Sequence, residues 1–70
     1  MKFITHKRMM DVAFTVDKVY RFGYSILVQG RWVSKRGYFL GVSQDIRIKY
    51  KDLPQWFMSD DLTNWNEVIL

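Results

Sequence analysis

Residues 37–57 read GYFLGVSQDIRIKYKDLPQWF and alternate between apolar and polar side chains. Large apolar residues occupy most even positions, whereas the odd positions from Ser43 to Lys51 are polar or charged. Successive side chains of a β-strand point to opposite faces, so this period of two predicts an extended chain with one face in a core and the other in water. Gly41 interrupts the pattern and indicates a bulge or a close backbone approach. Pro54 ends the run, because proline has no N–H to donate to a neighbouring strand.

The polar residues 43–45 leave the number of strands in this stretch open. They can form a reversal between two strands or the hydrophilic midpoint of one long strand, so residues 38–50 are either one strand or two. Trp56 and Phe57 follow the proline and are expected to cover the core as a lid.

Two earlier segments show the same period. Residues 10–16 have apolar even positions, and Val19 then falls out of phase. This shift predicts a bulge near Asp17, or a strand that bends there and changes the face it buries. Residues 24–33 again place their larger apolar side chains at even positions, and Gly30 fits a kink. The turns predicted between the strands contain glycine and lie at residues 21–23 and 34–37.

Four or five short strands rich in β-branched and aromatic residues predict an all-β domain, either a small SH3-like barrel or a strongly curved antiparallel sheet. A flat open sheet of so few strands would leave an apolar face and two edges uncovered. The residues expected in the core share the even phase and are Val12, Phe14, Val16, Ile26, Val28, Trp32, Leu40, Val42, Ile46, Ile48 and Trp56.

The chain has 70 residues, which predicts a single domain that hides only about 60% of the surface of its unfolded chain. It contains no cysteine and one histidine, so disulfides and a closed structural zinc site are not expected to stabilise it. Aromatic residues make up 17% of the chain, and each large ring can bury about 150–250 Å². We therefore expect aromatic packing to compensate for a thin core.

Charge is unevenly distributed along the chain. The net charge is +4, all eleven Lys and Arg residues lie in residues 1–51, and the segment from Asp52 onward carries only acidic charges. A basic body can bind nucleic acid or an acidic protein surface, and an acidic tail can screen it. The N-terminus turns basic after two apolar residues, and no run approaches the roughly 20 apolar residues of a membrane span. These features predict a soluble cytoplasmic protein.

The acidic tail of residues 59–70 has two interpretations. Apolar residues at helical spacing follow the candidate N-caps Asp60 and Asp61, which predicts a short C-terminal helix. The alternative is an irregular segment that docks Trp65 and ends in a strand at residues 68–70.

The sequence predicts no catalytic, metal or cofactor site. His6 is the only imidazole and no serine stands in a nucleophile-elbow sequence, so we expect His6 to belong to a solvent-facing basic N-terminus. Adjacent carboxylates at a helix start, such as Asp60 and Asp61, are far more often caps than a cation site. No glycine pattern resembles a phosphate-binding loop. We therefore expect a non-enzymatic protein.

Two classes of binding function remain as hypotheses. The leading one is a protein-binding module, because an exposed tryptophan beside acidic residues is the kind of anchor that interface hot spots favour. The alternative is a small β-barrel that binds nucleic acid, in which basic residues neutralise phosphates and exposed rings stack on unpaired nucleobases. The protein-binding candidates are Trp65, Leu62, Tyr20 and Phe22, and either of the last two is also a candidate stacking ring. The nucleic-acid-binding candidates are Arg31, Lys35, Arg36, Arg47, Lys49 and Lys51.

Residues 6–14, HKRMMDVAF, together with Trp32 and with Ile46-Arg47-Ile48 ahead of Trp56, resemble small uncharacterised proteins encoded by large tailed bacteriophages. The resemblance covers most of the chain and rests on no diagnostic motif. It implies expression in the bacterial cytoplasm and action on a host or phage macromolecule, such as modulation or inhibition of a host protein. It carries over no catalytic residues.

Overall fold

The computed structural model describes residues 2–69 as two antiparallel β-sheets and one short 3₁₀ helix. The predicted all-β class is confirmed, but the sheets do not close into the SH3-like barrel that was one of its two forms. No helix within residues 2–69 is long and apolar enough to cross a membrane. In chain order the strands are β1 Lys2–His6, β2 Val12–Val16, β3 Lys18–Arg21, β4 Ser25–Gly30, β5 Trp32–Ser34, β6 Gln44–Lys49, β7 Trp56–Ser59 and β8 Asn66–Glu67, and the 3₁₀ helix spans Tyr50–Gln55.

The larger sheet has the strand order β5-β2-β1-β7-β8, and the smaller sheet has the order β3-β4-β6. The start of the chain is not the solvent-facing basic segment that its sequence predicts, because β1 is the central strand of the larger sheet. The sequence does not predict this strand, because the buried polar residue Thr5 interrupts the apolar pattern of a short segment. Its hydroxyl is satisfied by donating to the carbonyl oxygen of Val12 at 2.6 Å.

Two of the connections between the sheets, β2–β3 and β4–β5, are tight corners. Between β2 and β3 the backbone N–H of Asp17 donates to the carbonyl of Gln29 at 2.8 Å, and between β4 and β5 the carbonyl of Arg31 accepts from Thr15 N–H at 2.9 Å. A Cβ atom on Gly30 would lie 1.8 Å from the carbonyl oxygen of Thr15, so only glycine permits this approach. The predicted change of face near Asp17 and the predicted kink at Gly30 are both confirmed.

The core lies between the two sheets. Phe14 and Ile4 of the larger sheet pack with Ile26, Val28 and Ile48 of the smaller one. The predicted core residues that are fully buried are Phe14, Ile26, Val28 and Ile48. Those that are partly buried are Val12, Val16, Trp32, Ile46 and Trp56, and all of these except Val12 pack against the cluster.

Leu40 and Val42 are exposed, which contradicts their predicted place in the core. Their side chains are 56% and 81% exposed. Residues 38–50 form neither of the predicted arrangements, because β6 begins only at Gln44 and Phe39 makes a single isolated bridge to Val33. The chain therefore leaves the edge of the larger sheet and reaches the smaller one without a strand to cover its apolar side chains. Tyr24, which shares the core phase, is also exposed because it lies in the turn between β3 and β4.

The predicted C-terminal helix does not form. Residues 60–64 are bends, and the short strand β8 pairs with β7 in an antiparallel register. The alternative interpretation, an irregular segment that ends in a strand, agrees better, although the strand lies at residues 66–67. Of the strand predicted at residues 68–70, residues 68 and 69 are not in a strand and Leu70 lies outside the described residues.

Candidate binding surfaces

The smaller sheet presents three rows of side chains on the face that points away from the core. We call this surface the outer face. In the middle row the register places Tyr20 of β3 beside Leu27 of β4 and Arg47 of β6. The flanking rows are Lys18, Gln29 and Asp45 on one side, and Phe22, Ser25 and Lys49 on the other.

Two aromatic rings are fixed on the outer face. Phe22 follows β3, and its N–H donates to the carbonyl of Ser25 at 2.9 Å, which extends the strand pairing by one residue. The guanidinium carbon of Arg47 lies 4.9 Å from the centre of the Phe22 ring, so the two side chains meet above β4. Tyr20 and Phe22 are 44% and 48% exposed, which leaves ring surface available on both.

The outer face is mainly basic. Lys18, Arg47 and Lys49 are exposed, and none of them forms a salt bridge within residues 2–69. Asp45 is the acidic residue within these rows, and it lines an open groove of about 390 Å³ with Asp17, Lys18 and Gln29. The groove adjoins the row that holds Tyr20, so polar and aromatic contacts are adjacent.

A second surface is the exposed segment of residues 38–42, which we call the apolar link. A tight turn precedes it, in which Gly37 has a φ of +87° and donates its N–H to the carbonyl of Ser34 at 2.9 Å. The N–H of Leu40 then donates to the carbonyl of Trp32 at 2.9 Å. The link is thus anchored to the edge of β5, while its large side chains face solvent.

The basic residues predicted to bind nucleic acid do not form one site. Arg47 and Lys49 lie on the outer face, whereas Lys51 lies in the 3₁₀ helix. Lys35 and Arg36 form the exposed tip of the turn after β5. Between β4 and β5, the guanidinium carbon of Arg31 stacks 3.6 Å from the ring centre of Phe39, so Arg31 belongs with the apolar link.

The tail candidates Leu62 and Trp65 are half-buried rather than freely exposed. Leu62 has a φ of +64°, and its Cδ1 atom lies 3.8 Å from where a Cβ of Gly37 would stand. The tail therefore reaches the turn at the base of the apolar link. Positive φ at a leucine is uncommon and requires support from the surrounding loop.

Asp61 supplies that support. Its carboxylate accepts hydrogen bonds from the backbone N–H groups of Asn64 and Thr63, each at 2.9 Å, and from the hydroxyl of Ser59. These bonds hold the pKa of Asp61 well below its usual range, because they stabilise the charged form. Asp61 thus organises a loop instead of capping the predicted helix. The neighbouring Asp60 lies 3.7 Å from the ammonium nitrogen of Lys2, in an exposed salt bridge.

His6 has a structural environment. Its Nδ1 atom accepts a hydrogen bond from the N–H of Arg8 at 3.1 Å, and its ring packs edge-on against Trp56 with 5.2 Å between centroids. His6 is therefore half-buried rather than solvent-facing as predicted. Within residues 2–69 no three His, Cys, Asp or Glu side chains form a group that could hold a metal ion.

No family model, curated protein or solved structure matches this chain. The geometry of its surfaces is therefore the basis for assigning a function.

Proposed function

We propose that this chain is a non-enzymatic protein-binding module and that its partner covers the apolar link. The observation that carries the proposal is the exposure of four large apolar side chains within five consecutive residues. Tyr38, Phe39, Leu40 and Val42 are each at least half exposed. Contiguous exposed apolar side chains are typical of interaction sites, whereas single ones are ordinary.

The sequence of the link supports this proposal. Large apolar residues occupy its even positions, as they would in a half-buried strand. Within residues 2–69, however, no strand or helix of the chain covers Val42. Conflicts between a local pattern and the fold concentrate at functional sites. A partner that packs on Leu40 and Val42 would bury the side chains that the pattern predicts to be buried.

The surroundings of the link favour an acidic partner surface. Arg31 stacks on Phe39, and the exposed Lys35 and Arg36 stand at the turn before the link. Complementary charges at the rim of an interface steer association and fix orientation. Leu62 of the tail contacts the turn that precedes the link, so the tail supports the surface instead of acting as a separate anchor.

The bacteriophage resemblance extends the proposal to the identity and location of the partner. We infer a bacterial host protein in the cytoplasm, whose activity binding modulates or inhibits. A small chain that acts by occupying a surface needs no catalytic group of its own.

Affinity capture from bacterial lysate tests this function. Tagged wild-type protein should retain one protein in stoichiometric amount, and a Leu40→Ser, Val42→Ser double variant should lose it. The matched control is Tyr24→Ser, which removes an equally exposed apolar group from the turn between β3 and β4. A partner that survives the double substitution, or no stoichiometric partner for the wild type, would contradict the proposal.

A further inference from the structure

We propose that the outer face of the three-stranded sheet binds single-stranded nucleic acid. This site is separate from the apolar link and does not depend on the protein-binding function. Its ligand would lie across the three rows, with nucleobases stacked on the rings of Tyr20 and Phe22. Its phosphates would be neutralised by Arg47 and Lys49.

The spacing of the two rings supports stacking. Tyr20 and Phe22 point to the same side and lie two residues apart along β3, which is about 7 Å at the rise of an extended chain. Between them and Arg47 the side chain of Leu27 provides an apolar floor. Aromatic rings on the open face of a small antiparallel sheet can each stack an unpaired nucleobase, and stacking tolerates any base because every base has a π-face.

The electrostatics of the face support a polyanion. Arg47 and Lys49 form no salt bridge within the described chain, so their charges are available to phosphates. Within residues 2–69 no carboxylate of the acidic tail forms a salt bridge with this face. Asp60 pairs with Lys2, and Asp61 is held by its own loop. The face therefore keeps a positive potential despite the modest net charge.

The two rings favour single strands over duplexes. A ring can stack on a nucleobase only where one face of that base is free. The bases inside a duplex are stacked on both faces, so Tyr20 cannot stack on them. In the groove beside Tyr20, the carboxylate of Asp45 and the amide of Gln29 can bond the edge of an unpaired base. Asp17 and Asp45 disfavour a phosphate in this groove, which Lys18 also lines, so we place the phosphates beside Arg47 and Lys49.

Fluorescence anisotropy with a labelled oligothymidylate of about 12 nucleotides tests the site, a length within the range that one small β-domain covers. Tyr20→Ala should weaken binding by about 5- to 100-fold, whereas Tyr20→Phe should retain it, since stacking needs the ring and not the hydroxyl. An Arg47→Ala, Lys49→Ala variant should flatten the plot of log affinity against log salt by about 1.4, at about 0.7 for each phosphate contact on a single strand.

Matched controls separate this site from general attraction to a basic protein. Lys35→Ala, Arg36→Ala removes the same charge from the turn after β5, and Tyr38→Ala removes a more exposed tyrosine ring from the apolar link. Both should bind as the wild type does. Equal weakening in the control variants, no binding by the wild type at low salt, or preference for a duplex or an acidic peptide over the oligonucleotide would overturn the proposal.

A measurement on the wild type alone does not depend on whether the variants fold. On titration with the same oligonucleotide, the amide NMR signals that shift should belong to β3, β4 and β6. Shifts confined to residues 38–42 would place the ligand on the apolar link and would overturn the assignment.

Discussion

Residues 38–42 and β6 both place large apolar residues at even positions, but only those of β6 pack against the core. β6 pairs with β4 along its whole length, and Ile48 is buried against the larger sheet. The apolar link has one backbone bridge, and its side chains remain in solvent. A period of two therefore predicts an extended backbone, whereas burial requires a neighbouring element that the period does not reveal.

The largest expected effect is a difference in the free energy of unfolding between truncation of a β6 side chain and truncation of a side chain in the apolar link. Ile48→Ala should lower the free energy of unfolding by about 2–5 kcal/mol, because it leaves a cavity between the sheets. Val42→Ala should change it by less than about 0.5 kcal/mol, since the side chain is exposed. Urea denaturation measures both. Similar losses in the two variants would mean that the link is part of the core.

Two glycines extend the comparison to the backbone. Gly30→Ala should destabilise the protein by about 1–3 kcal/mol or more, because the new methyl group would overlap the carbonyl oxygen of Thr15 and force the corner between the sheets to open. Gly41→Ala in the apolar link meets open space and should change stability by no more than about 0.5 kcal/mol. Thermal unfolding of the pair reports the difference. If Gly41→Ala proves as costly as Gly30→Ala, the link is more tightly packed than the structure shows.

These corners were predictable from sequence because each leaves a local mark. The phase of the apolar residues shifts at Asp17, and a glycine interrupts the strand at residue 30. The core of the smaller sheet was predictable for the same reason. Its residues Ile26, Val28 and Ile48 keep one parity within strands that the chain pairs with each other.

Other features were not predictable because they depend on distant partners. The central strand β1 contains Thr5, whose burial rests on a hydrogen bond to Val12 in the next strand. The tail avoids a helix because the Asp61 carboxylate holds the N–H groups of Thr63 and Asn64 in a bend. At the candidate sites, sequence identified Tyr20, Phe22 and Arg47, but only the strand register shows that they share a face. The exposure of the apolar link had no sequence signal at all, since its pattern is that of a buried strand.

The smallest effect concerns the loop that supports the base of the link. The folded state lowers the pKa of Asp61, so ionised Asp61 stabilises the fold above pH of about 4, and this contribution is lost as the pH falls below the ordinary aspartate range. Asp61→Asn should remove that part of the acid dependence of stability. Asp60→Asn, which removes an exposed salt bridge, should leave it in place. Unfolding curves between about pH 2 and 6 compare the variants, a range that spans about two units on either side of the ordinary pKa of aspartate. Acid profiles that are identical for the wild type and Asp61→Asn would show that the loop bonds do not stabilise the fold.

Amide hydrogen exchange tests most directly whether the two segments differ as described. In the free protein, the paired amides of β4 and β6 should exchange slowly, and those of residues 41–43 should exchange close to the rate of an unfolded chain. Addition of the captured partner should slow exchange in the link and leave β6 unchanged. Slow exchange of residues 41–43 in the free protein would show that the link is paired or buried. Protection by the partner that falls on β6 and spares the link would show that the partner binds elsewhere.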